Sequence, residues 1–380
     1  MLNASILNPI KAWKSGGKTK ICIGVDLGGS GLRARISSVE NKNQYVDIPH
    51  IPAKSTKSLV DSLTNIQNLL KKTEPTVESH GAAIAVAGPI KNGTVVLTNW
   101  PGSPELRTLS LSHLPQLIFP QDKSVFLNDL EAGAYGIVAA DEQKIIEPLF
   151  TQLWKDVAPS GPVVSDSRTA VMALGSGLGA ALIVNNPLSN ERFVLPCELG
   201  HVQVPVVGKD DPGSQEEYDL VHHVSKFYYG GKQAPEFEDL SSGRGIKLCY
   251  QHFLQKYEHV NKNVDDIDSG DVAVLANKGN KAAKAALLWC YKLYLRLGKM
   301  IGTSLQCDSI VMALDNQVKN AAFVDSISDE LKEEFYNFIR PDWMKGIRVY
   351  SQTKVLNFNI LGCDYVAHQA DSKYKNLNAK

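Results

Sequence analysis

The sequence has no pair of cysteines with CxxC spacing: its six thiols stand at 22, 197, 249, 290, 307 and 363, mostly inside apolar runs. That pattern argues against a structural zinc knot and suits buried thiols in a reducing compartment. No uninterrupted apolar stretch reaches the roughly 18 residues that a membrane span requires. The longest helical candidate, Ala282 to Leu305, is broken by Lys284, Lys292, Arg296 and Lys299. Neither sign of charge is in excess, with 40 basic residues against 40 acidic ones. No global field therefore favours nucleic acid or an anionic membrane, and any anion has to be caught locally. There is no low-complexity tract and no short-period repeat. Met1 to Lys20 has no apolar signal core and reads as a polar extension, and the final Asn378, Ala379 and Lys380 form no peroxisomal address. These absences set the expectation of a soluble, cytoplasmic protein with neither nucleic acid nor membrane as partner.

What the sequence does have is one uncommon segment twice. ICIGVDLGGSGLRARISSV runs from Ile21 to Val39, and TAVMALGSGLGAALIV from Thr169 to Val184. Each is a short apolar run, a glycine-rich knot and a second strand-like run, which predicts strand, tight turn, strand. A Walker loop or dinucleotide fingerprint needs a helix after the glycines, and neither segment offers one. Glycines in such a turn let backbone N–H groups form a concave nest for anionic oxygens. Either turn alone also reads as a plain hairpin; two of them can hold one polyphosphate.

A chain of 380 residues with 43% apolar content is long enough for two domains with buried cores. Leu59, Leu63, Ile66 and Leu70 share one face of a helix predicted over Ser58 to Lys71. Strands are expected at His80 to Ile90, Thr94 to Leu97 and Ser124 to Leu127, the last turning helical at Asn128 and Asp129, either of which suits a cap. Leu153 to Arg168, with Pro159, Gly161 and Pro162, reads as a surface loop. Further loops are expected at Pro196 to Pro205 and Glu238 to Ile246, then a long helix over Ala282 to Leu305, a strand at Ser309 to Leu314, and a strand or loop at Leu356 that feeds a terminal helix. Mixed strands and helices in this order give an α/β class.

Five motifs in sequence order resemble the glucokinase family of bacteria and protists, within the sugar kinase, Hsp70 and actin superfamily. DLGGS at Asp26 to Ser30 is similar to its first phosphate motif, and LGSGLG at Leu174 to Gly179 to its second, with Ser176 where threonine is usual. LNDLEAGAYG at Leu127 to Gly136 resembles the catalytic segment. ELGH at Glu198 to His201, the Glu238 to Gly245 stretch and TNW at Thr98 to Trp100 resemble the sugar-binding loops. The resemblance implies a two-domain ribonuclease H-like (actin-like ATPase) fold with a cleft between the lobes. A small α/β domain of residues 1–126 plus about 360–380 and a large one of 127–359 are expected, with closure over the substrates.

It also implies roles that chemistry supports. A sugar hydroxyl is a poor nucleophile and profits from a carboxylate within hydrogen-bond reach; Asp129 is the expected base. Asn99, Asn128, Asp129, Glu198, His201 and Glu238 would satisfy the hydroxyls of glucose, since buried polar groups are costly unpaired. Glu198 and His201 also read as two zinc ligands or a solvated loop. Asp26 would meet magnesium through water, Gly28, Gly29 and Ser30 the terminal phosphate of ATP, and Gly175, Ser176 and Gly177 the phosphates from the other domain. Arg33 matches a family arginine and equally reads as an exposed strand residue. Two departures stand out: Gly31 where bacterial relatives often carry asparagine, and Asp315 and Asn316 where a glycine pair commonly meets adenosine. The expected activity is transfer of the γ-phosphoryl of ATP to the 6-hydroxyl of glucose by a homodimer. Another hexose as acceptor, a non-catalytic sugar sensor and an actin-like filament protein are the alternatives.

Overall fold

The computed structural model describes residues 4–98, 100–189, 191–205, 208, 210 and 213–377. The chain divides into two compact units, Met1–Lys144 with Asn357–Lys380, and Ile145–Leu356. The expected edge at 126/127 therefore falls inside the first unit, which extends to Lys144 because the helix after Asn128 packs on the returning C-terminal helix.

In the first unit, β1 (Thr19–Gly28), β2 (Gly31–Ser38) and β3 (Tyr45–Pro52) precede α1 (Thr56–Thr73) and β4 (Val77–Val86). Then come β5 (Ile90–Lys91), β6 (Thr94–Val96), α2 (Pro104–Arg107), β7 (Thr108–Ser110), β8 (Ser124–Asn128) and α3 (Asp129–Glu142). The main sheet has the order β3-β2-β1-β4-β8, with β1 antiparallel to β2 and parallel to β4, and β8 parallel to β4. α1 buries Leu59, Leu63, Ile66 and Leu70, the face that the spacing predicts, and Ser55 and Ser58 close a capping box at its start. The N-terminal segment is no polar extension: a 3₁₀ helix, Ala4–Trp13, buries Leu7, Ile10 and Trp13 in the same core as α1. A spacing of three aligns side chains on one face of a 3₁₀ helix, a period that differs from the 3.6 of an α-helix.

In the second unit, β9 (Phe150–Leu153), β10 (Arg168–Leu174), β11 (Leu178–Asn185) and β12 (Arg192–Cys197) are followed by α4 (Ser214–Tyr229), α5 (Phe237–Leu240), α6 (Gly243–Glu258), α7 (Ser269–Asn277) and α8 (Lys281–Ser304). The unit ends with β13 (Ser309–Ala313), α9 (Asp315–Ser326), α10 (Ser328–Tyr336), α11 (Pro341–Met344) and β14 (Arg348–Gln352). Its sheet order is β12-β11-β10-β13-β14-β9. α8 is the expected long helix, and its buried Arg296 pairs with Glu217 of α4 and with Glu334 of α10 at 2.8 Å. The stretch expected as a loop over Glu238 to Ile246 is instead the end of α5 and the first turns of α6.

The C-terminal helix, α12 (Phe358–Leu377), belongs to the first unit and lies close against its backbone. A Cβ on Gly24 would stand 2.6 Å from the Asp364 nitrogen, and one on Gly136 2.0 Å from the Phe358 carbonyl oxygen. Only glycine permits that approach.

Candidate active site

Both glycine-rich segments are hairpins. In the first, Asp26 sits near the end of β1, in register with Arg33 on β2 and Ala85 on β4. Directly opposed antiparallel residues share a face, so Asp26 and the exposed Arg33 lie side by side. Asp26 Oδ2 accepts from Asn357 Nδ2 at 3.0 Å and Oδ1 from Asn359 Nδ2 at 3.3 Å. Gly28 and Gly31 close the ladder, leaving Gly29 and Ser30 as the turn. Ser30 Oγ is 3.2 Å from His50 Nε2. Gly31 has φ +157°, and a Cβ there would stand 2.1 Å from the Ile51 carbonyl oxygen and 2.7 Å from His50 Nε2. An asparagine side chain has no room at this position.

Ala85 is in turn level with Leu127 on β8. The three parallel strands thus end together, and Asn128 and Asp129 follow where β8 passes into α3. Asn128 is the N-cap: its Oδ1 accepts from the Leu130 N–H at 2.9 Å, and Glu131 reaches back to its own N–H at 3.2 Å. Asp129 is the first helical residue, exposed, with Oδ1 accepting from Leu130 at 2.8 Å. A carboxylate there lies at the positive end of the helix dipole. Asn99 lies outside the described residues.

The second unit gathers three of the motifs at one place. Gly175 and Gly177 form the turn between β10 and β11, with the Gly175 N–H donating to the Gly177 carbonyl at 2.8 Å. Gly243, at the start of α6, donates to the Gly175 carbonyl at 2.8 Å. Glu238 Oε2 accepts from the Leu178 N–H at 2.8 Å, and a Cβ on Gly177 would meet that oxygen at 2.6 Å. Gly200 of ELGH packs so closely on β11 that a Cβ would stand 2.1 Å from the Leu178 carbonyl oxygen. The ELGH turn is also stitched to the start of α5, with the Phe237 N–H donating to the Val202 carbonyl at 3.0 Å.

Glu198 and His201 project from that turn with 79% and 50% of their side chains exposed. His201 Nδ1 lies 2.7 Å from Glu236 Oε2, and this hydrogen bond raises the imidazole's pKa above its ordinary value against the opposing effect of burial. Among the described residues no group of three metal-ligating side chains occurs. Beside Gly175 and Ser176, a cavity of about 560 Å³ is lined by Gly243, Asn316, Lys319 and Asn320. Asn316 Nδ2 donates to the Leu174 carbonyl at 3.1 Å, and Leu314 just before holds φ +74° without a glycine.

Asn357, Asn359, Glu236 and His50 escape the sequence reading. Asn357 had a usable signal, since asparagine before an apolar helical run is a cap candidate. The other three show nothing until their partners are placed. No helix among the described residues is long and apolar enough to cross a membrane.

The glucokinase family model matches residues 23–305. The chain is 53% identical to a probable glucokinase 2 and 52% identical to glucokinase 1, both of Trichomonas vaginalis, each match covering 98% of this chain and the whole of the relative. Among solved structures, glucokinase from Balamuthia mandrillaris in complex with glucose is similar at a TM-score of 0.84 and 29% identity, over 96% of this chain and 97% of that one.

Proposed function

The chain belongs to the glucokinase family, and from that premise we propose that it transfers the γ-phosphoryl group of ATP to the 6-hydroxyl of glucose, giving glucose 6-phosphate and ADP. What carries the reading at the level of residues is the packing of ELGH and Glu238 onto the second glycine turn, Gly175 to Gly177. Sugar-type donors and acceptors and a phosphate-type nest are thereby built as one piece.

Asp129 takes the proton of the 6-hydroxyl and aims its oxygen. Asn99, Asn128, Glu198, His201 and Glu238 exchange hydrogen bonds with the remaining hydroxyls; His201, oriented by Glu236, presents its other ring nitrogen. Gly28, Gly29, Ser30 and Arg33 receive the terminal phosphate, and Gly175, Ser176 and Gly177 the other phosphates, with the nucleoside directed to the cavity by Asn316 and Lys319. These donors stabilise charge that spreads over the transferring group. Magnesium enters with ATP as substrate. The donors on Asp26 are neutral amides, and the buried Asn359 Oδ1 close by has no partner among the described residues; this oxygen set fits a hydrated magnesium ion. The same reading extends to a division into a small and a large domain, a homodimer and a cytoplasmic place at the head of glucose breakdown.

A coupled assay of glucose phosphorylation tests it, with a hexose panel at fixed ATP defining the acceptor. Asp129→Asn should lower kcat by at least about a hundredfold, the usual contribution of a positioned base, with an unchanged circular dichroism spectrum. Near-parental turnover in that variant removes Asp129 as the base, and activity with polyphosphate but not ATP overturns the donor.

A further inference from the structure

The chain re-enters the first unit at Asn357, and its first polar side chains there both turn to Asp26. Asn357 uses its whole amide: Oδ1 accepts from the Ile360 N–H at 3.0 Å, starting α12, while Nδ2 donates to Asp26 Oδ2 at 3.0 Å. Asn359 uses half of its amide, with Nδ2 on Asp26 Oδ1 at 3.3 Å and Oδ1 buried without a partner among the described residues. Flipping that amide would set its oxygen against a carboxylate oxygen, so the orientation follows from the charge of Asp26. A buried acceptor without a donor is unfavourable, and it stands on the amide that holds the carboxylate assigned to the metal.

We propose that Asn357 and Asn359 are positioning residues for the magnesium-bearing end of the nucleotide: they hold Asp26 in one rotamer, and Asn359 Oδ1 accepts from a water in the ion's shell. The proposal rests on the assignment of Asp26 above. Magnesium sheds its waters reluctantly and usually keeps several, each of them a hydrogen-bond donor that a carbonyl oxygen can take. Neutral amides suit this duty. An arginine or lysine in their place would orient Asp26 equally well but would compete with the ion for its charge.

The test uses the full chain with Mn²⁺ as probe, free Mn²⁺ being read by electron paramagnetic resonance in the presence of ADP, beside KM values for glucose. Asn359→Leu, alike in branching but unable to donate or accept, should weaken Mn²⁺ binding about tenfold, the usual scale of a hydrogen bond to a charged group. Asn357→Ser keeps a good cap for α12 but is too short to reach Asp26, and should weaken it about fivefold. Both should keep the glucose KM within about twofold. Mn²⁺ affinities within twofold of the parent in both variants would overturn the proposal, as would equal losses in Mn²⁺ and glucose affinity. A parent that binds Mn²⁺ and ADP yet leaves glucose unphosphorylated would sink the kinase reading instead.

Discussion

Asp26 stands on the same strand as the first glycine turn and is held by two neutral amides, whereas the second turn has no acid on its own strands and takes Glu238 from α5, paired with Arg244. The helices behind the two hairpins differ as well. Against β1, α12 lies backbone to backbone, with glycines at the contact; against β10, α8 makes contact through side chains, Tyr294 Oη donating to the Met172 carbonyl at 2.7 Å. One pattern in sequence is thus braced in two ways. Where the acid belongs to the strand, two neutral amides hold it, with Arg33 beside it on β2. Where the acid is borrowed, a half-exposed guanidinium pairs with one of its oxygens while the other holds the turn.

The largest effect expected from this contrast concerns glycine. In α12, a Cβ on Gly362 would stand 1.8 Å from the Ala132 carbonyl oxygen and 2.6 Å from the Gly136 nitrogen, both fixed backbone of α3. Gly362→Ala should therefore destabilise the first unit by about 4 kcal/mol or more, beyond ordinary overpacking. In α8, a Cβ on Gly298 would meet the Met172 sulfur at 3.2 Å and Ile310 Cγ2 at 3.3 Å. Those side-chain atoms can yield, and the gain in helix propensity of about 1 kcal/mol offsets the crowding, so Gly298→Ala should stay within about 1 kcal/mol of the parent. Urea unfolding of both variants decides; equal losses would mean that backbone contact is not what separates the two helices.

A middle-sized effect should appear in pH. Asp364 of α12 is buried, and desolvation raises its pKa to about 6, although Ser37 of β2 donates to Oδ1 at 2.5 Å and Arg35 draws the pKa down. His368 Nε2 lies 3.8 Å from the same oxygen, and Asp47 and Lys42 also act on the group. The folded pKa exceeds the unfolded value of about 3.9, so protonated Asp364 stabilises the fold. That stabilisation is complete below about pH 4 and lost as pH rises through about 6. Relative to Asp364→Asn, the parent should gain roughly 2–3 kcal/mol between pH 7 and pH 4, by the linkage of one proton to folding. A stability difference that stays flat over this window would show that the carboxyl titrates normally. Behind the second hairpin, the Tyr294 bond carries no group that changes charge there, its hydroxyl being pushed far up by burial.

The sequence discloses the parts of this comparison that are local. Glycine spacing marks both turns, the period of Leu59, Leu63, Ile66 and Leu70 marks α1, and the Asn128–Asp129 pair before an apolar run marks the start of α3. It does not disclose what depends on distant partners. Asn357 and Asn359 lie more than three hundred positions from Asp26, and their LNFN context alternates like a strand. Glu236 is one more acid in an acidic stretch until the ELGH turn folds onto it. The 3₁₀ helix at Leu7, Ile10 and Trp13 hides because Pro9, a residue that reads as a helix breaker, lies inside it and its period is three. The Glu238 segment reads as a loop because serines and glycines that cap and pack α6 are the same residues that loops use.

The smallest effect sharpens the contrast between the two acids. Arg244 Nη2 donates to Glu238 Oε1 at 2.6 Å and lies 3.6 Å from Asp239 Oδ1, but 47% of its side chain is exposed. An ion pair so open to solvent contributes little, so Arg244→Gln should cost less than about 1 kcal/mol in unfolding free energy. Asp239 keeps its own partners, the Tyr229 hydroxyl at 2.6 Å and the Glu236 N–H at 3.0 Å, which is why the fold should tolerate the change. Glu238 would still hold the Leu178 N–H but would gain freedom at Oε1, the oxygen that Arg244 now fixes. On the reading that Glu238 accepts from a sugar hydroxyl, the glucose KM should rise about threefold to tenfold with that loss of orientation, while the ATP KM stays near that of the parent. An unchanged glucose KM would confine Glu238 to bracing the turn, and would leave Glu198 and His201 as the acceptors that this unit offers to the sugar.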